Sequence, residues 1–129
     1  MRSIFAAIVG VTATISGAFA QGTGDASKAQ MPFQQCQVCH KVGPGAQSGI
    51  GPALNGIFGQ KAGAVPGFNF SPAMKQAASK GLVWNAANLD KFLENPQGFL
   101  PGTAMTYLGL KDAQQRADVI AYLETLKPQ

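Results

Sequence analysis

The sequence predicts an all-α domain with long loops, and two observations lead to this expectation. First, no segment shows the sustained alternation of apolar and polar residues that is typical of β-strands. Second, several stretches begin with a capping residue and carry apolar residues at helical spacing, whereas the chain between them is rich in glycine and proline. No internal repeat or low-complexity tract is visible, so one helical domain is expected.

Residues 1–20 are predicted to be a secretory signal peptide rather than folded protein. A mostly apolar run covers residues 4–15, and Ala18-Phe19-Ala20 has the small-x-small pattern of a cleavage site. A membrane anchor is the alternative, but the run is shorter than the roughly 20 residues that a spanning helix needs. We therefore expect cleavage after Ala20 and one exported, soluble domain at residues 21–129, with no integral membrane insertion.

The first helix is predicted from Asp25 to about Val38, with Phe33 facing inward. Pro32 lies in its interior and should kink or shorten it. Residues 41–70 are then so rich in glycine and proline that they predict loop and short turns. A loop of this length is unusual in a compact domain unless it has a function.

Three more helices are predicted after this loop. The first covers 71–80, with Ser71 as its cap and proline at its first position. The second covers 86–95, with Asn85 as its cap and Pro96 as its stop. A second loop, here called the methionine loop, spans residues 96–109. Asp112, with glutamine three residues later, then opens a last helix that runs to about Leu126.

The chemically informative residues are concentrated in the run Cys36-Gln37-Val38-Cys39-His40, which holds both cysteines and the only histidine. A disulfide is one alternative after export, but a bridge that closes so short a loop stabilises a fold little. A zinc site needs about four ligands, and the chain has no other cysteine or histidine. Covalent haem attachment explains all three residues: Cys36 and Cys39 as thioether anchors, and His40 as an axial ligand.

If His40 binds one side of the iron, the opposite ligand is expected to be a methionine. Met31 is too close to Cys36 in sequence to reach the other face, and Met74 follows a helix start and is predicted to fill the core. Met105 lies in a Pro-Gly loop that can aim its thioether inward, so it is the predicted ligand. His/Met ligation raises the haem potential and leaves no open position, which favours electron transfer.

The formal net charge is +4, and the basic residues are dispersed along the chain. This pattern argues against nucleic-acid binding. A mildly basic surface could still steer an acidic protein partner toward the molecule.

These motifs, taken in order, resemble a class I cytochrome c of the bacterial periplasmic kind, close to the mitochondrial branch. The resemblance covers essentially all of residues 21–129, and the individually weak markers are specific in combination. They are the segments 36–40, 51–56, 67–71, 95–96, 101–105 and 116–123, together with Trp84.

The resemblance implies the class I cytochrome c fold, in which helices and long loops wrap one covalently attached haem c. It implies that the Pro52 carbonyl accepts the second ring N–H of His40. It also implies that Trp84 donates its indole N–H to a haem propionate, with a plain core tryptophan as the alternative. Thr103 should hold the methionine loop and the inner propionate.

The resemblance implies further aromatic contacts. Phe92 should lie against the haem, where many members have a tyrosine, and Tyr107 should flank the exposed haem edge. Tyr122 should pack across the first helix near Phe33. In a departure from the family, Ala104 replaces a common lysine, and residues 96–107 carry no charge at all.

Gln60 is a second departure from the family. It stands where many members have an arginine near a propionate. The net effect of these replacements on the haem potential has no predictable sign, because losing a cation lowers the potential and a more apolar pocket raises it.

The predicted function is that of a monomeric periplasmic carrier that shuttles one electron through its haem between transient protein partners, and not that of an enzyme. One alternative is a haem-based gas-binding or peroxidase-like protein in which Met105 is displaceable. Another is a disulfide-stabilised binding module without haem.

Overall fold

The computed structural model describes residues 23–129, so the predicted signal peptide at 1–20 lies outside the described residues. Within this range the regular structure is helical, with one isolated antiparallel bridge between Lys61 and Val83 and no strand. No helix of the described range is long and apolar enough to cross a membrane. The all-α prediction is therefore confirmed. The helices are α1 (Gln30–Gln34), α2 (Pro72–Ser79), α3 (Ala86–Glu94), α4 (Pro96–Phe99) and α5 (Ala113–Thr125).

The predicted first helix over 25–38, which Pro32 was expected to kink or shorten, is divided into three short pieces. A 3-10 turn at Ala26–Lys28 precedes α1, and another at Cys36–Val38 follows it. Pro32 lies buried inside α1. Because proline has no N–H to donate to the carbonyl of Lys28, four residues earlier, the turn at Ala26–Lys28 and α1 do not join into one regular helix.

The last helix packs across the N-terminal segment. The Asp112 side chain accepts a hydrogen bond from the backbone N–H of Gln115, so the predicted cap of α5 is present. The rings of Phe33 and Tyr122 meet edge to face, with centroids 5.0 Å apart, as the resemblance implies. A side chain at Gly24 would overlap the carbonyl of Ala117, so the two segments cross in close backbone contact.

The two middle helices begin where the sequence predicts. The Ser71 hydroxyl accepts a hydrogen bond from the Met74 N–H in α2, and the Asn85 side chain caps α3 in the same way. Pro96, however, does not simply stop α3. Asn95 accepts a hydrogen bond from the Gly98 N–H and starts α4, so the methionine loop opens with one helical turn.

A single buried apolar cluster joins these elements, and Met74 belongs to it, as predicted. Two charged side chains of α5 are also buried, Arg116 and Asp118. The Arg116 guanidinium donates from Nε to Asp90 and from one terminal nitrogen to the carbonyl oxygens of Leu110 and Lys111, so its charge is paired. These bonds fix the chain that leaves the methionine loop.

Candidate functional site

The first cysteine opens a short 3-10 turn, Cys36–Val38, one residue after α1, and Cys39 is the cap at its carboxyl end. The backbone N–H groups of Cys39 and His40 both donate to the carbonyl of Cys36, at 3.1 and 2.9 Å. Both cysteines are free and half-buried, so the structure does not contain the disulfide alternative. Burial raises the pKa of the Cys36 thiol to about 11, which keeps it protonated at neutral pH.

The imidazole of His40 is held in one tautomer. Its Nδ1 atom lies 2.8 Å from the carbonyl oxygen of Pro52, and a carbonyl can only accept, so Nδ1 carries the proton. Burial lowers the pKa of His40, against the opposing effect of the Pro52 hydrogen bond. The neutral ring therefore presents the lone pair of Nε2, the form in which imidazole binds metals.

The backbone next to Pro52 lies in close contact with the imidazole ring of His40. A Cβ atom at Gly51 would lie 2.6 Å from Cε1 of His40, so only glycine leaves room for the imidazole here. The Gly51 N–H donates to the Cys39 carbonyl at 2.9 Å. Gly51 belongs to the marker segment 51–56, but no role was predicted for it. Its position next to Pro52 was the one sequence feature that pointed to a place beside His40.

The side-chain amide of Asn55 holds the start of the same loop. Its Nδ2 atom donates to the Gly43 carbonyl at 2.7 Å, while its Oδ1 atom accepts from the Gly43 N–H at 2.9 Å. This reciprocal pair ties together two parts of a glycine-rich segment with little regular structure. Its contribution was not predicted, because an isolated asparagine in a loop carries no sequence signal of its partner.

The predicted aromatic site residues gather in one place. Trp84 and Phe92 are buried in the core cluster with ring centroids 4.9 Å apart. Cys36, Met105 and Tyr107 are partly buried and pack against the same cluster. Partial burial raises the pKa of the Tyr107 phenol, with a smaller contribution from the charge of Cys36. The structure thus brings the first thioether anchor and the predicted methionine ligand to one apolar cluster.

Met105 follows a tight turn. The Thr103 N–H donates to the Leu100 carbonyl at 3.0 Å, and Gly102 between them has a φ of +86°. A turn with proline second and a left-handed third residue demands glycine at that place. Thr103 is 6% exposed, and its hydroxyl oxygen lies 3.4 Å from the Met105 N–H. The turn therefore directs Thr103 and Met105 inward and leaves Ala104 exposed.

A further polar side chain of this loop was not predicted. Nε2 of Gln97, in α4, lies 2.9 Å from the carbonyl oxygen of Thr103 and 3.2 Å from that of Met105. The only sequence cue was the Asn-Pro pair before Gln97, which is a typical helix start. Without α4, nothing in the sequence relates the Gln97 amide to these carbonyls.

These residues fit a covalently attached haem. Two half-buried thiols stand on one turn beside a neutral imidazole with a free Nε2, next to an apolar cluster. The Oε1 atom of Gln60 is buried without a hydrogen-bond partner among the described residues, which is an unusual state for a polar atom. Residues 23–129 contain no cluster of three or more His, Cys, Asp or Glu side chains that could hold a separate metal ion.

The fold and this donor set together define a protein that holds haem through two thioether bonds. The profile of the Cytochrome c family matches residues 25–127, and the chain belongs to this family. It is accordingly a class I cytochrome c, an electron-transport protein with covalently attached haem c.

Similar proteins come from bacteria and eukaryotes. The chain is 50% identical over 125 residues to cytochrome c2 of Rhodomicrobium vannielii, covering 97% of each protein. It is 52% identical over 83 residues to cytochrome c of Trypanosoma brucei brucei, covering 64% of this chain and 86% of that one. The structure of cytochrome c2 from Rhodospirillum centenum matches with a TM-score of 0.76 and 36% identity, covering 81% of this chain and 100% of that one.

Proposed function

We propose that the protein is a monomeric periplasmic electron carrier whose haem iron is bound by His40 and Met105. It exchanges single electrons with transient protein partners through the exposed haem edge. When bound, the haem supplies the one-electron redox couple, and no bond of a substrate is made or broken. Residues 1–20 act as the signal peptide, and residues 21–129 form the mature domain.

The observation that carries this proposal is the hydrogen bond from His40 Nδ1 to the Pro52 carbonyl at 2.8 Å. It commits one ring nitrogen to the protein and leaves Nε2 for the iron. It also fixes the ring plane, so the ligand does not reorient when the iron changes charge. A ligand held in this way suits rapid electron exchange.

The remaining residues have supporting roles. Cys36 and Cys39 anchor the macrocycle, Trp84 donates its indole N–H to a haem propionate, and the apolar ring of Phe92 lies against the haem. A dry, apolar environment disfavours the extra positive charge of the ferric state and so raises the potential. Thr103 and Tyr107 lie within the methionine loop, on either side of Met105.

The test uses the purified holoprotein, produced with its signal sequence in a bacterium that attaches haem. We expect a haem spectrum and a reversible one-electron titration. In the ferric state we also expect the absorption band of the bond between the haem iron and the Met105 sulfur, here called the iron–sulfur band. Met105→Leu should abolish the iron–sulfur band and lower the potential. Met74→Leu, in the buried core, is the matched control and should retain both.

Three results would contradict the proposal. A colourless purified protein would favour the binding module without haem. Retention of the iron–sulfur band in Met105→Leu would place a different ligand on the iron. Carbon monoxide binding to the reduced wild-type protein without denaturant would favour the gas-binding alternative with a displaceable methionine.

A further inference from the structure

We propose that Gln97 is a positioning residue that controls how readily the thioether of Met105 leaves the iron. The inference rests on the proposed ligation of the iron by Met105. It adds a side chain that does not bind the iron and whose effect reaches the ligand through the backbone of the methionine loop.

The geometry of the contact is that of a clamp. Nε2 of Gln97 lies 2.9 Å from the Thr103 carbonyl oxygen and 3.2 Å from the Met105 carbonyl oxygen. A primary amide nitrogen carries two hydrogens, so it can serve both acceptors at once. The two carbonyls stand on either side of Ala104, and the clamp therefore spans the residues that lead into the ligand.

Gln97 is exposed, but the helical turn that carries it is anchored to the core. It lies in α4, where Pro96 is among the most deeply buried side chains of the described chain, and the Asn95 side chain caps the turn. The ring of Phe99, at the end of α4, packs edge to face on that of Phe92, with centroids 6.2 Å apart. The Gln97 amide thus connects the methionine loop to a helical turn that packs on the buried apolar cluster.

The other restraints on Met105 are weaker. In the described chain, the other hydrogen bond of the Met105 backbone runs from its N–H to the Thr103 hydroxyl, at a long 3.4 Å. The turn closed by the Thr103 N–H and the Leu100 carbonyl ends two residues before Met105. No other polar contact ties the Met105 carbonyl to the described chain, so the bonds from Gln97 restrain the loop where it reaches the ligand.

The consequence is measurable as competition for one coordination position. An added ligand such as imidazole binds the iron only when the Met105 thioether has left. Its apparent affinity is therefore proportional to the fraction of molecules in which the thioether is dissociated. Hydrogen bonds that exist only while Met105 is bound increase the closed fraction, each by a modest factor. Loss of both bonds should therefore raise the apparent affinity for imidazole about tenfold, which corresponds to about 1.4 kcal/mol.

The experiment titrates ferric holoprotein with imidazole and follows the iron–sulfur band. Gln97→Ala removes the amide, and Gln97→Glu keeps its shape but places acceptors against two carbonyls. Both variants should bind imidazole about tenfold or more tightly than wild type. Gln76→Ala and Gln76→Glu make the same changes at an exposed glutamine of α2 and should bind imidazole as wild type does.

A variant with a purely structural defect separates positioning from general stability. Asp118→Ala removes a buried carboxylate of α5 that is remote in sequence from the loop. It should lower the urea midpoint of unfolding and leave the imidazole affinity unchanged. Gln97→Ala, in contrast, should change the imidazole affinity.

The outcomes distinguish this inference from the proposed ligation. Unchanged imidazole affinity in both Gln97 variants, with the iron–sulfur band intact in wild type, overturns the role of Gln97 alone. Equal gains in affinity in the Gln97 and Asp118 variants also overturn it, because general destabilisation then explains both. Absence of the band from wild type overturns the ligation and this inference together.

Discussion

The carboxylate of Asp118 accepts a hydrogen bond at 2.8 Å from the backbone N–H of Asp25, which lies 93 positions earlier in the chain. Gln114, one turn earlier in α5, donates its side-chain N–H to the same oxygen at 3.0 Å. Asp25 in turn caps the first 3-10 turn by accepting from the Ser27 N–H. The last helix thus holds the first folded residues of the described chain through a buried carboxylate.

Asp118→Ala should destabilise the protein by about 1–3 kcal/mol, because it leaves the Asp25 N–H and the Gln114 amide without their acceptor. Urea unfolding followed by far-UV circular dichroism measures the loss. Glu124→Ala removes the same charge from an exposed position of α5 and is the control, with an expected change below about 0.5 kcal/mol. Equal midpoints for the two variants would disprove the role of the buried carboxylate.

Gly51→Ala should displace the imidazole, since the new Cβ atom would lie 2.6 Å from Cε1 of His40. We expect a loss of about 1–3 kcal/mol from overpacking, a weaker iron–sulfur band and a lower yield of holoprotein. Gly49→Ala is the matched control, because a Cβ atom there has nothing within 4 Å. Similar spectra and stabilities for both variants would show that the ring tolerates the extra methyl group.

Ala104→Lys should lose the iron–sulfur band at a lower pH than wild type does. An amine binds iron only after it has lost its proton, so displacement of Met105 by lysine proceeds as the pH rises. The wild-type loop has no lysine at 96–107, and Lys111 is engaged, its Nζ donating to the Glu94 carbonyl at 2.6 Å. The measurement is a pH titration of the ferric band.

The control for this titration is Ala87→Lys, which adds a lysine at an exposed position of α3. It should titrate as wild type does. If Ala104→Lys also matches wild type, the absence of a loop lysine does not protect the methionine ligand. If wild type already loses the band at mildly alkaline pH, a lysine outside the loop is within reach.

Electron exchange with an anionic reagent should depend less on salt than it would if the methionine loop carried lysines. Residues 96–107 carry no charge, so this side of the haem edge contributes little to the field that steers an anion. Stopped-flow oxidation of ferrocyanide by the ferric protein, at a series of ionic strengths, measures the dependence. In Ala104→Lys the rate should fall more steeply with ionic strength than in wild type. Equal slopes for the two proteins would refute the expectation.

Local signals were enough to predict most of the helices. Ser71, Asn85 and Asp112 cap α2, α3 and α5 as predicted, because a capping side chain bonds to an N–H two or three residues away. The break in the first helix was only half predicted. Pro32 indicated a disruption, but the division into turn, α1 and turn depends on packing against α5, which sequence periodicity does not contain.

The site was predictable where chemistry restricts the residue type. Two cysteines and a histidine in five positions have few explanations, and the loop around Met105 has a distinctive turn sequence. The bond from His40 to Pro52 came from the resemblance and is present in the structure. The clamp by Gln97 was missed because glutamine is common on surfaces, and its partners are carbonyls that any sequence provides.

The contact of Phe33 with Tyr122 and the hydrogen bond from the Asp25 N–H to Asp118 have a consequence for folding during synthesis. Both contacts need α5, which is synthesised last, so the amino end cannot complete its packing during translation. The cysteines directly follow α1 and share this delay. We expect them to stay exposed until the whole chain has been made, which gives an enzyme that attaches haem time to reach both thiols.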